Sequence, residues 1–301
     1  MSFRRLTLLL LFGLAPVLAP VLAPALPAAG QTLSPFETTP DHLQRYTECM
    51  RLAGKEPLRA LPLAEKWSVE GGGLGARHCV AVAMFQAGKF PQSAAQFESI
   101  ARDMGLDRPG LRAELWAQAG QAWVEGGQAD KAAVAQTRAI ELKGTDPDLW
   151  IDRGLSNSAM LAWPRAISDF DQALRLRPDD VEVLVLRAAA WRNARNTNQA
   201  LADAERALKI APEHTEALLE RGFANLAGGN RVRANDDFNR VLRIVPPGSD
   251  SARRAQAGLR GEQPTPTASG AAPTTPPSSP STSPLTAPAT PNAAPKAGGK
   301  R

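Results

Sequence analysis

The chain has 301 residues, of which 43% are hydrophobic and 5% aromatic, and 35 basic against 30 acidic side chains give it a net charge of +5. Without Arg4 and Arg5 near the start and Lys296, Lys300 and Arg301 near the end, 30 basic residues face 30 acidic ones, so the body carries no nucleic-acid footprint. Three histidines and two cysteines leave little material for metal or nucleophilic chemistry.

Residues 1–30 read as a signal peptide. Arg4 and Arg5 give a basic start, Leu6 to Leu14 an apolar run, and Ala28-Ala29-Gly30 the small residues a signal peptidase reads. Gln31 then opens the mature chain. Pro16, Pro20, Pro24 and Pro27 oppose an uncleaved spanning helix, because repeated prolines break it. Export is the expectation, with the periplasm as compartment and no stable membrane span once the signal is removed.

Residues 31–112 are expected to form degenerate helical hairpins. Phe90-Pro91 places an aromatic and a proline at the start of a second helix, in a unit at about 74–107. A more divergent hairpin near 41–71 precedes it, with Gly71-Gly72-Gly73 as the turn between them. No strand and no Lys-Ser/Thr pair accompanies those glycines, as a phosphate-binding loop requires. Cys49 and Cys79 fall near the first helices of these two hairpins, and two lone thiols in an exported chain are expected to pair. The competing reading is a metal site made with His42 and His78. However, His78 and Cys79 are adjacent and point apart on a helix, which opposes tetrahedral closure, so no metal is expected.

From 113 to 248 the chain repeats. Pro178, Pro212 and Pro246 stand 34 residues apart and close the phrases LRLRP, LKIAP and LRIVP. Four units follow: 113–146, 147–180, 181–214 and 215–248. A period of this length marks stacked helical hairpins, none of which buries its apolar face alone. Position 8 is Gly120, Gly154, Ala188 and Gly222, and position 20 is Ala132, Ala166, Ala200 and Ala234. Position 27 is Ala139, Ala173, Ala207 and Val241, while Phe170 and Phe238 stand at position 24 and Trp116, Trp150, Leu184 and Leu218 at position 4.

This phased set resembles the tetratricopeptide repeat (TPR) family. The resemblance implies an all-α, right-handed solenoid whose concave face is lined by the first helix of each pair. It implies a protein or peptide partner, and neither catalysis nor a cofactor. The family's groove positions correspond here to Glu114 and Gln121, then Asp148, Ile151 and Leu155, then Glu182, Val185 and Arg192, then Glu216, Leu219 and Phe223. They describe an apolar floor with an acidic edge, suited to an extended or helical segment with apolar anchors and some basic character. The Lys, Asn and Arg with which some relatives clamp a C-terminal carboxylate are missing. The alternative is that Ile151, Val185 and Leu219 only pack against neighbouring helices.

Position 7 carries Arg153, Arg187 and Arg221 where position 23 carries Asp169, Asp203 and Asp237; in 113–146 both charges vanish together, to Ala119 and Ala135. Paired presence and absence predicts structural ion pairs, with a basic ligand-binding ladder as the alternative. Residues 249–261 read as a capping helix. Residues 262–301 read as a disordered tail of Pro, Thr, Ser, Ala and Gly, either a spacer or a tether in contact with the cell wall.

No GxSxG elbow occurs, and His214 sits in a turn between repeats, so no catalytic residue is expected. The expected function is an exported, non-catalytic scaffold binding a protein or peptide in its groove. The alternative is an accessory subunit or tethered adaptor of an envelope complex, for cytochrome maturation or for peptidoglycan or outer-membrane assembly.

Overall fold

The computed structural model describes Phe36 and residues 39–264; the expected signal peptide and all but the first three residues of the expected tail lie outside the described residues. Among the described residues there are thirteen helices and no strand. Six hairpins succeed one another. They are α1 (Pro40–Lys55) with α2 (Pro57–Val69), α3 (Gly73–Gln86) with α4 (Phe90–Asp103), and α5 (Pro109–Glu125) with α6 (Ala129–Lys143). Then come α7 (Pro147–Ala159) with α8 (Trp163–Leu176), α9 (Val181–Asn193) with α10 (Thr197–Ile210), and α11 (Thr215–Ala227) with α12 (Arg231–Ile244). A single helix, α13 (Asp250–Leu259), closes the stack.

Capping chemistry sets where these helices begin. The side chains of Asp180, Asn196, Asn230 and Ser249 each accept a hydrogen bond from the backbone N–H three residues on. Proline stands in the first turn of α4, α7 and α8, where its missing N–H costs nothing. Helices α7, α9 and α11 open at the first positions of the repeats read from the sequence. Helix α5 differs: it opens at Pro109, a turn ahead of 113, because that proline offers a ready-made start.

Five of the hairpins reverse through one left-handed residue at the same phase, position 15. These are Gly88 (φ 73°), Gly127 (φ 70°), Leu161 (φ 57°), Arg195 (φ 62°) and Gly229 (φ 81°). Leu161 and Arg195 adopt there a backbone that disfavours a Cβ.

Inside the hairpins, positions 8 and 24 fit each other by size. A Cβ on Gly154 would stand 2.5 Å from a Phe170 ring carbon, and one on Gly222 would stand 2.6 Å from the Phe238 ring. A Cβ on Gly258 of α13 would come within 2.3 Å of that same Phe238 ring, so the phenyl group is gripped between α11 and α13. Where position 8 is Ala188, position 24 shrinks to Ala204.

Buried apolar residues form two clusters, one running from Ala53 to Leu149 and the other from Ala166 to Ala255. They meet at α7, whose Trp150 packs against both. Successive first helices touch at α1–α3, α5–α7, α9–α11 and α11–α13, whereas successive second helices have no comparable contact. The first helices are therefore the crowded, inner layer and line the concave side. Their contact is sparse between α3 and α5 and again between α7 and α9, the second of these being where the two apolar clusters join.

Candidate functional site

The groove residues read from the sequence all lie on the first-helix layer, but they divide by exposure. Ile151 and Leu155 on α7 are half-buried and Gln121 on α5 is similar, while Glu114, Asp148 and Glu182 are exposed. Val124, one turn beyond Gln121, is 45% exposed. By contrast, Val185, Leu219 and Phe223 are buried, the last two essentially completely. That corrects the expectation that they form an open floor. Helix α13 packs on α11 as a further first helix would, and the Arg192 guanidinium lies 5.7 Å from the Phe223 ring centroid.

The acidic edge needs the same correction. Asp148 pairs with Arg177, Glu182 Oε1 is 2.9 Å from His214 Nε2, and Glu216 binds Arg254 and accepts from the Ser251 hydroxyl. Arg192 itself is held by Glu220 at 2.8 Å. The sequence pattern put these side chains on the right face but did not reveal that neighbouring loops and α13 supply their partners.

The Arg/Asp positions come together in every repeat that has them. Arg153, Arg187 and Arg221 each place Nη2 2.6 Å from Oδ1 of Asp169, Asp203 and Asp237, with Nε on the same carboxylate. All three carboxylates are buried. Each arginine is also aimed at position 25 of the preceding repeat: Arg153 Nη1 donates to the Thr137 hydroxyl at 3.1 Å, and Arg187 Nη1 to Asp171 at 2.6 Å. Hydrogen bonding to Asp237 raises the pKa of Arg221, and Glu205 at that same position adds to the effect. The arginines therefore tie a hairpin internally and to its predecessor. None is free to serve a ligand.

Cys49 and Cys79 form a disulfide that joins α1 to α3, with Cα atoms 6.2 Å apart. The bridge consumes both thiols of the alternative metal set, and among the described residues no group of three His, Cys, Asp or Glu side chains is arranged to hold an ion. His78 is instead a buried structural residue. Its Nε2–H donates to Gln118 Oε1 at 3.1 Å, its Nδ1 accepts from the Tyr46 hydroxyl at 3.0 Å, and the Phe36 ring stacks on it at 4.7 Å. Burial pushes its pKa down to about 4, against the opposing hydrogen bond to Gln118.

One groove residue was missed in the sequence. Position 6 is Cys79, Gln118, Asp152, Leu186 and Glu220 in successive hairpins, with Arg254 in the same phase on α13. It is the joint between first helices: Cys79 is bridged back to Cys49, Gln118 to His78, and Glu220 to Arg192 behind and Arg254 ahead. The Asp152 side chain makes no ion pair or hydrogen bond to another described residue. Crowding by the surrounding groove atoms, then the like charges of Asp148 and Asp146, push its carboxyl pKa upward; because the residue is exposed, water limits that desolvation. Aligning position 6 in phase would have singled it out, because it is a lone charge in a column of partnered or apolar residues.

No protein-family model and no curated protein matches the chain. Among solved structures, the chain is similar to the C-terminal part of a TPR repeat-containing protein from Cytophaga hutchinsonii, at 16% identity and a TM-score of 0.59, over 70% of this chain and 85% of that one. It is also similar to MamA from Desulfovibrio magneticus, at 15% identity and a TM-score of 0.51, over 57% of this chain and 94% of that one. A second MamA structure gives 16% identity and a TM-score of 0.51, over 56% and 90%. At these identities the likeness shows the fold, an α-solenoid of TPR hairpins.

Proposed function

We propose that the protein is an exported, non-catalytic scaffold that holds a protein or peptide segment in the groove of its first helices. Solenoids of this kind offer an extended concave surface for such a purpose. The observation that carries the reading is the open stretch at α5–α7. There Val124, Ile151 and Leu155 keep apolar surface in the groove, while the equivalent surface at α11 is already covered by α13. A segment with apolar side chains at alternate or helical spacing gains burial there without any rearrangement of the fold.

Export rests on the basic, apolar and small-residue pattern of residues 1–30, and it agrees with a structural disulfide, which persists in oxidising compartments. The periplasm is the location this reading assigns. Fractionation tests it separately from binding: retention in the cytoplasm would remove the compartment and leave the groove untouched.

Co-purification tests the groove. Leu155→Glu places a charge on the open floor, and Val134→Glu does the same on α6, whose Val134 is 64% exposed in the outer layer. The reading expects a partner retained by the native chain and by Val134→Glu and lost with Leu155→Glu. Equal retention by both variants would contradict it.

A further inference from the structure

Asp152 shows what its surroundings lack when it is set beside Glu220 two repeats on. Both occupy position 6 of a first helix, facing the groove. Glu220 is flanked one hairpin behind by Arg192, at 2.8 Å, and one hairpin ahead by Arg254, at 3.2 Å. The corresponding positions around Asp152 are Val124 and Leu186. The same architectural joint therefore carries two guanidinium groups at α11 and none at α7. Asp148 and Asp146 do not compensate: each is acidic, and each already has its own basic partner in Arg177 and Lys143. Asp152 and Val124 are exposed and Ile151, Leu155 and Leu186 half-buried, so an incoming side chain can reach this joint.

We propose that this joint is a binding site for a guanidinium or ammonium group, the cation seated on Asp152 and its aliphatic stem on Val124, Ile151, Leu155 and Leu186, and that the occupant is the basic stretch Lys296–Arg301 of the chain's own tail. The inference rests on the groove reading above and gives that groove its first occupant.

Three observations select the tail. Residues 265–301 contain Lys296, Lys300 and Arg301 and no carboxylate side chain, so the segment is complementary in charge to an unpaired aspartate. The last described residues turn back onto the first-helix layer, where Gln263 Nε2 donates to the Phe223 carbonyl oxygen at 3.3 Å, so the described chain stops on the helix layer that bears the site. Its length also suits the distance. Some 32 positions separate Pro264 from Lys296; a random coil of that length has a root-mean-square reach of roughly 30 Å, and two first-helix spacings amount to about 20 Å. A tether whose reach matches its span holds its end at millimolar effective concentration, enough to fill a site of weak intrinsic affinity. An apolar floor with one carboxylate is such a site, and an external partner would then have to displace the tail.

Paramagnetic relaxation tests the proposal directly. The two native cysteines are paired, so a nitroxide can be attached at a single new cysteine, Gln121→Cys in the groove beside the proposed site or Val134→Cys on the outer layer. In the full-length mature chain, the amide resonances of residues 296–301 should be broadened by the groove label and not by the outer one. Asp152→Asn should abolish that broadening, as should raised salt. Replacing Lys296, Lys300 and Arg301 with alanine gives the same test from the tail side, on resonances of residues 290–295, without touching the folded part. Equal broadening from both labels, or broadening that survives both sets of substitutions, would overturn the proposal. That result would leave the co-purification experiment unaffected, so failure of the tail and failure of the groove are read apart.

Discussion

Replacing Arg187 with methionine should destabilise the solenoid by about 3 kcal/mol. The figure follows from what the guanidinium leaves behind. Asp203 is 8% exposed and takes both terminal contacts from Arg187, Nη2 at 2.6 Å and Nε at 2.8 Å. Removing the arginine strands a desolvated carboxylate, and such breaks in buried pairs cost roughly 3–5 kcal/mol. Arg187 retains 19% exposure, which places the cost toward the lower end. Asp203→Leu should cost less, about 1–2 kcal/mol, because Arg187 keeps Asp171 at 2.6 Å. The double variant, with methionine and leucine filling the space, should come within about 1 kcal/mol of the native chain. Urea unfolding followed by circular dichroism gives the free energies, and hydrogen exchange in α8–α10 guards against partial unravelling of the stack. A loss below about 0.5 kcal/mol for Arg187→Met, or losses that add in the double variant, would refute the structural role. Lost partner binding at unchanged stability would instead revive the ligand ladder.

Three further outcomes follow from other parts of the fold. Burial pushes the His78 pKa down to about 4 in the folded chain, below the ordinary 6.5 of an imidazole, so its contribution is complete above pH 6.5 and is lost as pH falls toward 4. The unfolded chain binds the extra proton in that window, worth about 3 kcal/mol at its acid end. His78→Gln should flatten stability between those pH values, and an unchanged acid slope would count against the buried neutral imidazole. Leu161→Gly should raise stability by about 0.5–1 kcal/mol, since it removes a Cβ from a left-handed residue at φ 57°; a loss in thermal unfolding would contradict that. Reducing the disulfide, whose cysteines are 30 residues apart, should cost about 3.5 kcal/mol by the loop-closure argument. Exchange should begin in α1, which buries only Ala53, and full protection of α1 after reduction would be contrary evidence.

The repeat was legible because backbone period and side-chain size recur together. Pro178, Pro212 and Pro246 fix the phase, and the Gly154–Phe170 and Gly222–Phe238 approaches make that phase a packing rule. The Arg/Asp pairs could be read because both charges vanish at once in 113–146. What escaped is what depends on neighbours outside the repeat. Leu219 and Phe223 look like groove floor until α13 is laid over them, and the carboxylate of Glu216 looks available until Arg254 arrives on that same helix. Asp152 escaped for the opposite reason. Its significance lies in partners that Val124 and Leu186 do not supply, which no single repeat displays.

The most direct test of the scaffold reading is photo-cross-linking in the producing cell from benzoylphenylalanine placed at Ile151 in the groove and at Val134 on the outer layer. The account predicts a discrete cross-linked product from position 151 and none from position 134. No product from position 151, or the same product from both, would contradict it.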